Sequence, residues 1–178
     1  MVADTDRARV VDALALTADL TTKSFGSADE AIQAALAVVQ QVTGLETTLM
    51  TNIRKAESAL HVIAAYNTDP ALNVPAGLEI PLTMSPCRNV AGSDSPFISA
   101  DMREDAELAA LPAAKDLGAC AYVGVPVFLA DGSFYGTLVG LGTSPRDELD
   151  RHIRWMQIVA QLAAFQIERQ RASKVTTN

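Results

Sequence analysis

The chain has 178 residues, 49% of them hydrophobic and 20% charged. That is the composition of one globular domain, large enough to bury a core without a metal or disulfide staple. A formal net charge of −7 with no block of Lys or Arg argues against a nucleic-acid partner, which requires a basic stripe to meet phosphates. No apolar run approaches the roughly 18 residues of a membrane span, and the N-terminus has no signal-peptide core. The two cysteines, Cys87 and Cys120, lack metal-knuckle spacing and suit a reducing compartment as small buried residues. The expectation is a cytoplasmic chain with no membrane partner.

In chain order, apolar residues at three- and four-residue intervals predict an amphipathic helix over residues 6–20. Ser27 with Glu30 forms a capping-box pattern ahead of a strongly apolar helix over residues 28–42, which Gly44 stops. Residues 45–52 and 59–66 read as two strands joined by a polar turn, and residues 78–82 as a short strand held to a sheet edge by Pro81. An irregular centre follows, with a helical turn at 87–91, a short strand at 97–99 and a short helix over 104–115 that Pro112 interrupts or starts. Strands at 119–129 and 134–141 flank Asp131-Gly132, a strong hairpin signal. A last helix is predicted from about 147 to 171, with Asp147 and Glu148 at its positive end. Hairpin-linked strands between long helices imply an α/β (α+β) domain with a central antiparallel sheet of five or six strands. The long terminal helices cover one face, and the irregular centre encloses a pocket on the other. The domain is placed at 27–171, between an N-terminal helix and linker at 1–26 and a tail at 172–178.

Gly118-Ala119-Cys120-Ala121-Tyr122-Val123-Gly124-Val125-Pro126-Val127 precedes Asp131-Gly132, Gly136-Thr137-Leu138 and Ser144-Pro145-Arg146. This succession resembles the GAF domain family, with its strand ending in Gly-Val-Pro, its Asp-Gly turn, its Gly-Thr-Leu strand and its Pro-Arg lead into the last helix. Cys87-Arg88-Asn89-Val90 and Pro96-Phe97-Ile98-Ser99-Ala100-Asp101 are also similar to the family. The likeness covers residues 27–171. It implies a small-molecule-binding sensor that dimerises through its terminal helices and signals to a partner protein.

The same likeness implies where ligands of known relatives would be held. Haem-binding relatives carry a histidine shortly before the Val-Pro strand, and residues 111–117 contain none. The two histidines, His61 and His152, lie in a predicted strand and helix, where ordinary packing or surface roles explain them. Bilin-binding relatives carry a cysteine close to the position of Leu111, where this chain has none. No haem, bilin or other covalently bound cofactor is therefore expected. The Asn-Lys pair of cyclic-nucleotide relatives is missing from residues 142–148. Free methionine-(R)-sulfoxide reductases of this family use pocket cysteines, and only Cys87 matches their pattern, since Cys120 lies within the Val-Pro strand.

The expected ligand-lining set is Met84, Cys87, Arg88, Asp101, Leu111, Cys120 and Tyr122. Strand alternation turns Cys120, Tyr122 and Gly124 to the pocket and Val123, Val125 and Val127 to the helices. Tyr122 offers a ring and a hydroxyl, so Tyr122→Ala is expected to weaken binding with little loss of fold. Arg88 offers a cation to an anionic guest, or solvates on the surface; Asp101 caps a helical turn or meets the ligand. On the last helix, Leu149, Ile153, Met156, Ala160, Ala163 and Ile167 form one seam beside a second row of Trp155, Val159 and Leu162. One row is assigned to the sheet and the other to the N-terminal helix or a second copy. The leading expectation is a dimeric regulatory sensor rather than an enzyme. The alternatives are a thiol reductase using Cys87 and Cys120, and a dimerisation scaffold with no ligand.

Overall fold

Ser27 begins helix α1 (Ala28–Thr43) by accepting the Glu30 amide at 3.1 Å through its hydroxyl. The Glu30 carboxylate reaches back past the N-cap to the Gly26 amide at 2.9 Å, so the first half of the Ser-x-x-Glu capping box is formed as predicted and the second is shifted by one residue. The computed structural model describes residues 15, 17–21 and 25–176. Of the helix expected over residues 6–20, residues 6–14 and 16 fall outside that set, and residues 15 and 17–21 are helical.

Six strands follow: β1 (Thr47–Arg54), β2 (Ala59–Asn67), β3 (Glu79–Pro81), β4 (Phe97–Ser99), β5 (Ala121–Phe128) and β6 (Phe134–Gly142). They form one sheet in the order β3-β2-β1-β6-β5-β4, and every pairing is antiparallel. Pro81 sits on edge strand β3, where its missing amide costs no ladder bond. Helix α2 (Cys87–Ser93) and the one-turn helices α3 (Ala106–Ala109) and α4 (Pro112–Lys115) lie between β3 and β5, and α5 (Asp150–Thr176) closes the domain.

The two sheet faces carry two cores. On one, Ile32, Leu36 and Val39 of α1 and Met156, Ala160, Ala163 and Ile167 of α5 pack on Val123, Val125, Val127 and Leu138. Leu36, Val39, Val123 and Met156 are fully buried, each contributing about 1.5–3 kcal/mol relative to exposure. On the other, Leu49, Leu60, Val62, Val139 and Leu141 meet Val90, Met102, Leu108 and Leu111 of the irregular centre. The six-stranded antiparallel sheet, with long helices on one face and short helices on the other, is the expected architecture.

Three details differ. The expected helix over 104–115 is three separate turns: a 3-10 turn at Met102–Glu104, then α3 and α4. Asp101 and Asp105 cap the first two, and Pro112 opens the third, where an amide is not needed. The last helix starts at Asp150, not Asp147, because Glu148 adopts a left-handed φ of 58°. Asp150, rather than Asp147 and Glu148, is the acid in its first turn, and the helix runs on to Thr176.

Candidate functional site

Beneath the irregular centre the sheet leaves a cavity of about 330 Å³. Its floor is the alternating inward set of four strands: Leu49 and Thr51 of β1, Leu60 and Val62 of β2, Tyr122 of β5, and Val139 and Leu141 of β6. Its roof comes from two stretches, Leu78 to Cys87 and Pro112 to Leu117. Both stretches are tied by backbone bonds to residues that lead into strands: the Leu82 amide donates to Ser58 O, just before β2, at 2.7 Å, and the Ala119 amide, just before β5, donates to Ala113 O at 2.9 Å. The floor is buried, whereas Pro81, Met84 and Asp116 are exposed and form the mouth.

A chain of polar side chains runs along one end of the floor. Thr51 and Thr137 share a hydroxyl–hydroxyl bond of 2.7 Å. The Thr137 hydroxyl donates to Cys87 Sγ at 3.4 Å, and the Tyr122 hydroxyl donates to the same sulfur at 3.3 Å. Cys87 opens α2, and its own amide donates to Ser85 Oγ at 3.2 Å. Tyr122 lies along its strand over Gly124: a Cβ there would fall 2.3 Å from the tyrosine hydroxyl oxygen. Gly124 thus makes room for a neighbouring ring, while Gly136, where a Cβ would meet Thr51 O at 1.9 Å, lets β6 approach β1. Burial pushes the Tyr122 phenol well above its ordinary pKa, and the adjoining Cys87 sulfur pushes it further.

Of the residues expected to contact a ligand, Met84, Cys87 and Tyr122 line the cavity. Arg88 does not; its guanidinium donates to Thr83 O at 3.2 Å and to Glu107 at 3.0 Å. Asp101 caps the Met102–Glu104 turn and pairs with Arg103 at 2.6 Å, and the hydrogen bond from Arg103 holds its carboxyl below the usual range. Leu111 is packed in the core beside the cavity. Cys120 precedes β5, with its sulfur 3.7 Å from Gly118 O. Tyr122 is fully buried, which replaces the expectation that its truncation spares the fold with the prediction of a stability cost, since removing a wholly enclosed ring leaves a void. Leu60, Val62, Val74, Leu78, Ile80, Val139 and Leu141 also line the site. Nothing in a single sequence separates them from ordinary core, because apolar strand residues carry no motif. Among the described residues, no group of three His, Cys, Asp or Glu is placed to hold a metal, and no helix is long and apolar enough to cross a membrane.

An antiparallel sheet with long helices on one face and a roofed cavity on the other defines a class of α/β domains. The chain belongs to the GAF family: the profile described as "GAF domain" matches residues 26–168. Among curated proteins it is 26% identical over 144 residues to diguanylate cyclase DgcP of Escherichia coli (strain K12), covering 81% of this chain and 41% of that protein. The chain therefore spans about two fifths of the length of that relative. Among solved structures, the GAF domain of an Acinetobacter phosphoenolpyruvate-protein phosphotransferase superposes with a TM-score of 0.73 at 11% identity, covering 94% of this chain and 97% of the other. Free methionine-R-sulfoxide reductase from Neisseria meningitidis, solved with its substrate, gives 0.69 at 11% identity, covering 89% and 87%. At these identities the superpositions establish the fold.

Proposed function

We propose that this domain is a regulatory sensor that binds a small molecule in the cavity under residues 78–117 and dimerises through α5. The observation that carries the first half is the cavity itself. Its volume of about 330 Å³ lies at the lower end of small-molecule sites, about 300–1,000 Å³, with a buried floor and an exposed mouth. The relation to a diguanylate cyclase supports a regulatory role. β5 supplies the route for a signal. Tyr122 faces the cavity, while Val123, Val125 and Val127 of the same strand pack on the helices, so a guest that shifts β5 repacks α5 and the partner it regulates. The reductase alternative draws no support from the placement of Cys120, which is absent from the cavity wall.

For the second half, the seam Leu149, Met156, Ala160, Ala163 and Ile167 is consumed by the sheet, and Trp155 packs with Val38, Val42 and Leu20. Ile158 and Phe165, one heptad apart on α5, stay 49% and 58% exposed, a pair suited to a second copy of the same helix. The test of binding is a thermal-shift screen against fractionated cell extract. A ligand raises the melting temperature by mass action, and Met84→Trp at the mouth suppresses that rise. A screen with no active fraction rejects the sensor reading.

A further inference from the structure

The wall of the cavity is apolar almost throughout, and most of its polar side chains already have partners. Thr51 is bonded to Thr137, the Tyr122 hydroxyl donates to Cys87, and the Ser85 hydroxyl accepts the Cys87 amide. Among the described residues, no Lys, Arg or His contributes to the lining, and the one carboxylate on it, Asp116, sits at the exposed mouth. The arginine nearest in sequence, Arg88, is engaged by Glu107 and Thr83 outside the wall.

A carboxylate or phosphate moved into such a space loses its hydration and finds no cation and few donors in return. It also passes the Asp116 carboxylate on the way in. An apolar guest gains from every buried contact.

Resting on the sensor reading above, we propose that the cavity selects a predominantly apolar molecule carrying no negative charge. This departs from the anionic guest that Arg88 suggested in the sequence.

The probes are 1-nonanol and nonanoate, which differ chiefly in the charge of the head group, titrated calorimetrically into the intact chain at pH 7.5 below their aggregation limits. The expected result is that nonanol binds at least tenfold more tightly than nonanoate, and that Met84→Trp weakens nonanol binding at least tenfold. Met84 is exposed at the mouth, so this variant keeps the fold, and an unchanged circular dichroism melt verifies it. Nonanoate binding equal to or tighter than nonanol, and lost in Met84→Trp, overturns the proposed selectivity while leaving a functional cavity. Failure of both probes to bind overturns the selectivity too; an extract fraction that still raises the melting temperature then shows that the sensor reading survives it.

Discussion

Tyr122, Gly124, Cys87 and Thr137 form a single interlocked unit at the end of the cavity. The tyrosine ring occupies the space a side chain at 124 would need, and its hydroxyl and that of Thr137 converge on one sulfur. Tyr122→Ala should therefore destabilise the domain by about 3–5 kcal/mol through the void it leaves. Tyr122→Phe, which deletes only the hydroxyl, should cost about 0.5–1.5 kcal/mol; urea denaturation distinguishes the two. Gly124→Ala should cost about 1–3 kcal/mol by overpacking, since the atom it meets belongs to an enclosed ring rather than a free side-chain end. The buried phenol also sets an alkaline limit. Its folded-state pKa is raised above that of the unfolded chain, so the folded state holds the proton longer. Stability is complete below about pH 10 and falls as pH rises through the window above it, by up to about 1.4 kcal/mol per pH unit for one such group. Tyr135, raised by partial burial, adds a second contribution. The urea midpoint of the wild type should drop above pH 10, and Tyr122→Phe should show a shallower drop. Equal slopes would remove Tyr122 from this account.

At the scale of elements, strand β5 was the most legible part of the chain. Period-two alternation assigned Val123, Val125 and Val127 to the helices and Tyr122 to the other face, and the two cores divide in that way. The capping box at Ser27 and the Asp131-Gly132 turn were equally plain, because each is written in adjacent residues with a specific hydrogen-bonding or φ requirement. The split of residues 102–115 into three turns was not, since repeated Asp caps at 101 and 105 also occur within or beside continuous helical patterns. Nor could the spacing of α5 say which of its rows meets the sheet, for both repeat at helical intervals. With the inner row now accounted for, Ile158→Glu with Phe165→Glu should yield a particle of 18.8 kDa by light scattering, against twice that mass for the wild type. A wild-type monomer would reject the α5 dimer. Because both positions are exposed in the monomer, the variant should keep its circular dichroism spectrum and lose only the concentration-dependent part of its melting temperature.

The molecule as a whole places a packed, helix-covered core on one side of its sheet and a roofed hollow on the other. The sequence pointed to that division through the change from regular periodicity to an irregular centre, but it could not reveal which apolar residues border empty space and which border one another. That distinction depends on how Leu78–Cys87 and Pro112–Leu117 arch over the floor, a matter of tertiary geometry. It also decides function, because a filled hollow leaves only a helix-mediated assembly unit. Native mass spectrometry after incubation with cell extract and removal of unbound solutes tests this most directly. A discrete adduct on the wild type, absent from Met84→Trp, is the predicted outcome; no retained mass, or the same mass on both proteins, would contradict a ligand-holding cavity.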